Sequence, residues 1–201
     1  MKSSRQLFRP ALAATALCIA TFHQAQAADE NYVPLSQWRI QSSALAKSDG
    51  KTISAANFDA AAWHVAAVPS TVLGALVRDG VYTNIFFGTN LGNIPTNQFQ
   101  GPWWYRNEFN LSGEQAADDG DLIFEGINFR ANVWLNGERL TDSGKTFGAF
   151  RVFKLPVGGR LKPGRNSVAV EVFPPQTGDF TIGFVDWNPN RRTIIWVCFG
   201  R

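Results

Sequence analysis

The sequence predicts an all-β fold, a jelly-roll sandwich with one short helix. Three observations lead there. Short alternating or β-branched segments follow one another from Trp38 onward, turn-forming Gly, Pro, Asn and Asp separate them, and a single segment carries helical spacing. The composition agrees: 201 residues with 18 Gly, 10 Pro, 16 Phe and 7 Trp, 45% apolar and 17% charged, too apolar for a disordered chain and without a collagen repeat.

Taken in order, strands are expected at 38–42, 63–66, 103–111, 122–125, 131–135, 150–155, 167–173 and 181–185. Asn136-Gly137 falls between two runs, and both residues tolerate the positive φ that a two-residue hairpin requires. The helix is expected to start after Pro69-Ser70, with Ser70 capping its free amides, and to end near Asp79-Gly80. Val72, Leu73, Leu76 and Val77 give it one apolar face to lay on the sheet.

The first 27 residues read as a signal peptide. Lys2, Arg5 and Arg9 precede an apolar run from Ala11 to Phe22, and Ala25-Gln26-Ala27 forms a small-x-small cleavage site. The run is shorter than the roughly 20 residues of a membrane-spanning helix, so the expectation is export to the periplasm or medium with no membrane attachment afterwards. Three of the 19 basic residues and none of the 16 acidic ones lie in this leader, so beyond residue 27 the charges balance. Arg191, Arg192 and Arg201 sit in the last dozen residues, which leaves the body slightly acidic and without the basic stripe that nucleic-acid binding needs. Past the leader only Cys198 remains, so that part of the chain closes no internal disulfide. Residues 28 onward suffice for one domain with one sizeable core.

Little in the chain points to chemistry. His64 is the one histidine beyond the leader and reads as an ordinary sheet residue, so neither a multi-histidine metal site nor a Ser-His-Asp triad is expected. Asp118-Asp119-Gly120-Asp121 lacks the ligand spacing of a calcium loop and reads as a solvated turn. Glu108, Glu125, Glu138 and Glu171 lie in or beside strands and nominate no acid and base pair for glycosidic cleavage. The aromatic residues say more, because a Trp ring offers a flat apolar face to sugar C–H groups while neighbouring Asp or Asn hydrogen-bond hydroxyls. Trp103-Trp104-Tyr105-Arg106 is one candidate, although adjacent strand residues face opposite ways, so the two Trp side chains are not expected to be both core or both surface. Asp186-Trp187-Asn188-Pro189 is the other, placed after a strand where a loop presents side chains.

Several stretches in fixed order resemble one family. They are Trp63 with Val68-Pro69-Ser70-Thr71-Val72, Gly80-Val81-Tyr82 with Asn84-Ile85-Phe86-Phe87-Gly88-Thr89-Asn90-Leu91, and Trp103-Trp104-Tyr105-Arg106. There follow Phe124-Glu125-Gly126-Ile127-Asn128-Phe129-Arg130-Ala131-Asn132-Val133-Trp134-Leu135-Asn136-Gly137, Gly148-Ala149-Phe150 and Asp186-Trp187-Asn188-Pro189. Together they are similar to the N-terminal domain of glycoside hydrolase family 2, in the branch of exo-β-D-glucosaminidases and β-mannosidases.

The resemblance implies a galactose-binding-like jelly roll over residues 28–189, a carbohydrate partner of chitosan-type or mannose-containing chemistry, and no cofactor or metal. It implies substrate binding by Asp186 and Trp187, with Asn188 as a weaker addition. In the family, immunoglobulin-like domains and a (β/α)8 barrel follow, and the barrel holds both catalytic glutamates, so no catalytic residue is assigned in this chain and no activity is expected of it alone. The alternative is a free-standing glycan-binding module. After Pro189 the family pattern of Pro-Pro-Asp and Gly-Ile-Trp-Arg is replaced by residues 190–201, a divergent tail read as the product of a frameshift or premature stop. Genomic DNA downstream is then expected to encode the missing domains in another frame; sequencing that finds no such coding would overturn this reading.

Overall fold

The computed structural model describes residues 33–179 and the backbone of Trp196–Cys198. The leader at 1–27, the strand expected at 181–185 and Asp186, Trp187 and Asn188 lie outside the described residues.

Eleven strands are described: β1 (Trp38–Ser42), β2 (His64–Ala66), β3 (Ser70–Thr71), β4 (Trp103–Leu111), β5 (Asp121–Phe124), β6 (Gly126–Asn128), β7 (Arg130–Leu135), β8 (Glu138–Thr141), β9 (Phe153–Pro156), β10 (Gly164–Phe173) and β11 (Trp196–Cys198). One layer is a six-stranded antiparallel sheet in the order β2-β1-β4-β10-β7-β8. The facing layer consists of the small sheets β3-β11-β6 and β5-β9. Between them lies the main core, where Trp38, Ile40, Tyr105, Val133 and Val170 from the large sheet meet Phe124, Ile127 and Phe153 from the small ones. Each fully buried large apolar side chain contributes roughly 1.5–3 kcal/mol, so this layer contact holds the sandwich shut.

Asn136 and Gly137, with φ of 52° and 90°, turn β7 into β8 as the dipeptide predicts. The expected helix is α3 (Val72–Arg78), which places Val72, Ala75 and Leu76 in the core. Its cap differs from the expectation by one residue. Gly74 N donates to Thr71 Oγ1 at 2.7 Å, whereas Ser70 lies in β3 and donates its hydroxyl to Thr71 O. Ser70 sits one position too early, because the pairing of β3 with β11 keeps it extended.

Three further α-helical turns accompany α3 among the described residues: α1 (Ser43–Ala46), α2 (Gly50–Ile53) and α4 (Gly113–Ala117). Asp49 caps α2 through Thr52 N at 2.8 Å, and Ser112 with Gln115 forms a capping box on α4. These elements are four or five residues long, below the length at which apolar periodicity declares a helix.

The large sheet is covered on its second face as well. Trp104, Ala169, Ile53, Ala60 and Trp63 form a separate cluster with Trp134 and Phe58 packed against it. Trp103 and Trp104 do point to opposite faces, but each is only 2% exposed, so the expectation that one of them reaches the surface is corrected. The physical reason is that α2 and residues 54–63 fold back over the strand face that alternation alone would leave in water.

Gly50 makes this second layer possible. A Cβ built there would lie 2.2 Å from Cδ2 and Cε2 of Trp134. Gly50→Ala is therefore expected to destabilise the protein by about 1–3 kcal/mol. Gly113→Ala, in a helical turn with nothing within 4 Å of the new methyl group, is expected to stabilise it by about 0.4–1 kcal/mol. Urea denaturation of both variants checks the pair; an unchanged Gly50→Ala midpoint would show that the indole does not rest on the backbone as described.

Candidate functional site

The candidate binding residues 186–188 lie outside the described residues, but the structure shows how the chain on either side is held. At Asp179 the carboxylate accepts two hydrogen bonds from Arg130, one of them Nη1 to Oδ2 at 2.7 Å, and the carboxylate is 6% exposed. Gln176 N donates to the same Oδ2 at 2.7 Å, closing a turn. At Trp196 the backbone pairs with Asn128, and Val197 pairs with Ile127. Both ends of the intervening chain are thus fastened to the three residues Asn128, Phe129 and Arg130, where β6 gives way to β7.

A bidentate guanidinium–carboxylate pair fixes direction as well as distance, and sheltering from water strengthens it. Around it stand aromatic rings. Arg130 lies over the Phe129 ring at 5.1 Å, Phe129 meets Phe147 at 6.5 Å, and Arg151 lies over Phe147 and Phe153 at 5.7 and 5.2 Å. Phe150, 77% exposed, projects from the same connection between β8 and β9. Such cation–π contacts contribute about 0.5–1 kcal/mol each at exposed positions and present flat apolar faces beside fixed polar groups.

Reading the sequence alone misses Arg130 and Asp179 as a pair. Arg130 stands inside a quoted motif, but its partner is 49 residues away and nothing in the spacing links them.

The remaining sequence candidates serve the scaffold. His64 Nδ1 meets Asp79 Oδ2 at 2.8 Å, and this hydrogen bond is the first cause holding the Asp79 carboxyl below its usual range. Glu108 pairs with Arg106 at 2.7 Å and Glu138 with Arg160 at 3.2 Å. Glu171 accepts a hydrogen bond from Asn132 Nδ2 at 2.9 Å, and Asn132 Oδ1 accepts from Ser143 N at 2.8 Å. Cys198 lies in β11. Among the described residues no three His, Cys, Asp or Glu side chains are grouped to hold a metal ion.

Residues 38–181 match the glycosyl hydrolase 2 galactose-binding domain-like family. The exo-β-D-glucosaminidase of Amycolatopsis orientalis is 34% identical over 176 residues, which cover 87% of this chain and 17% of that enzyme. The mannosylglycoprotein endo-β-mannosidase of Lilium longiflorum is 32% identical over 68% of this chain and 17% of its own length. Among solved structures, the Amycolatopsis orientalis exo-chitosanase superposes with a TM-score of 0.71 at 32% identity, over 76% of this chain and 18% of that one. The β-D-mannosidase of Dictyoglomus thermophilum, at 23% identity and a TM-score of 0.52 over 69% of this chain and 15% of that one, shares the fold. The chain therefore spans about a sixth of the length of the curated relatives it matches.

Glu171 gives the described sheet a pH dependence. Its partial burial on the second face raises the carboxyl pKa, and the hydrogen bond from Asn132 opposes the shift without cancelling it. A carboxyl raised in the folded state binds its proton more tightly there than in the unfolded chain, so its contribution favours folding most at low pH and is lost as pH rises through the raised value. Glu171→Gln keeps an acceptor for Asn132 and removes the charge. The variant is expected to have the higher thermal midpoint at neutral pH and to converge on the parent as pH falls into the ordinary carboxylate range; parallel curves throughout would refute the assignment.

Proposed function

The chain belongs to the glycosyl hydrolase 2 galactose-binding domain-like family, and from that premise we propose that it is the glycan-binding N-terminal domain of an exported glycosidase. The parent reaction is hydrolysis of terminal β-linked glucosamine or mannose residues, carried out by a catalytic barrel that follows this domain. The observation that carries the reading is the 34% identity to an exo-β-D-glucosaminidase across 87% of the chain. The basic leader with its small-x-small site supports export. The slightly acidic body suits a cationic glycan of the chitosan type.

Within this domain Asp186, Trp187 and Asn188 contact the sugar. Trp187 stacks on the C–H face, while Asp186 accepts hydrogen bonds from the hydroxyls and the Asn188 amide both accepts and donates them. The Arg130–Asp179 pair and the β6–β11 pairing act as positioning elements, because they hold the chain that leads into and out of these residues. A binding group on a fixed base loses less conformational entropy when it engages its ligand.

Isothermal titration of the protein with glucosamine and mannose oligomers, repeated on Trp187→Ala, tests this. Saturable binding weakened roughly 30-fold by the substitution, the loss of about 2 kcal/mol typical of a central aromatic anchor, is the expected result. Binding of equal strength in the variant would remove Trp187 from the site. Absence of heat with either glycan would mean that this domain does not bind the glycan by itself.

A further inference from the structure

A second candidate site lies on the face of the large sheet turned away from the main core. Between β1, β4 and residues 54–63 is an open cleft of about 550 Å³, a volume within the roughly 300–1,000 Å³ of small-ligand sites. Its walls are fixed by arginines. Arg106, only 4% exposed, donates from Nε to Ile53 O at 2.7 Å and from Nη2 to Ala55 O at 3.1 Å. Arg39 Nη1 donates to Ala61 O and Trp63 O, both at 3.1 Å, and Arg165 Nη1 donates to Ala56 O at 2.9 Å. Three guanidinium groups from three strands thus fasten one loop over the sheet.

The remaining polar groups of the lining define the ligand. Gln37, Asn57 and Asn110 come from three separate segments, all are exposed, and none of their side chains makes a hydrogen bond among the described residues. Each amide offers both donors and an acceptor. A sugar hydroxyl also donates and accepts at once, so an amide answers it without carrying charge. Phe58 adds an apolar surface, held at its position by Arg106 at 5.6 Å and by Trp63 at 5.5 Å. The pocket's ionic groups are Arg39, Arg106 and Arg165 against Asp59 and Glu108, a surplus of one positive charge that opposes a cationic glycan.

We propose that this pocket is a subsite for a neutral saccharide of one or two pyranose rings, gripped by Gln37, Asn57 and Asn110. It uses none of residues 186–188 and stands without the preceding reading.

The test is titration of the full chain with three disaccharides: neutral N,N′-diacetylchitobiose, its cationic deacetylated counterpart and an acidic uronate disaccharide. The double variant Asn57→Ala/Asn110→Ala, which removes two exposed and internally unbonded side chains, is run alongside with its thermal midpoint. The expected result is saturable binding of the neutral disaccharide over the other two, weakened at least about 10-fold in the variant at unchanged midpoint. No neutral binding up to about 10 mM, or equal binding by the variant, would overturn the proposal. So would preference for the uronate, which would make the pocket an anion site. Neutral binding that follows Trp187→Ala instead of the two asparagines would assign it to the other site and equally overturn the proposal.

Discussion

Over Trp103–Arg106 strand β4 is hydrogen-bonded along both edges, to β1 and to β10, and buried on both faces. Trp103 and Tyr105 enter the main core, while Trp104 and Arg106 face the second cluster. A strand in that position permits no slip, because a shift of one residue would exchange the two sets and drive the Arg106 guanidinium into the apolar core. The order of the large sheet, the coverage of its outer face and the placement of the pocket beside it all follow from this constraint.

Burying Arg106 carries a desolvation penalty that its partners must offset. Two main-chain carbonyls and Glu108 supply the hydrogen bonds, and the Phe58 ring lies below the guanidinium plane. The exchange works in both directions. Carbonyls of residues 53–63 that regular pairing would leave exposed gain strong donors, and the arginine gains a fixed geometry. Residues 54–63 hold their place without regular secondary structure beyond a turn because three cations grip their backbone.

A comparable device operates at the other end of the sandwich. Arg130 opens β7 and holds Asp179, and two residues earlier Asn128 pairs with Trp196 in β11. The Arg130 side chain and the Asn128 backbone, two residues apart, therefore hold Asp179 on one side and Trp196 on the other.

The sequence by itself determined the sandwich, most of its longer strands, the Asn136-Gly137 hairpin and the helix 72–78, because alternation, turn chemistry and helical spacing act between near neighbours. It also carried the family, through motifs such as Asn128-Phe129-Arg130 whose order survives without any knowledge of their contacts. Strands β3 and β6, of two and three residues, were not legible, since so few residues establish no period. Only the tertiary structure decided that both faces of β4 are dry over Trp103–Arg106, that Arg130 meets Asp179 across 49 residues, and that three arginines converge on one loop. Those contacts join residues far apart in the chain, and their free energy depends on burial and geometry that exist only once the layers have closed.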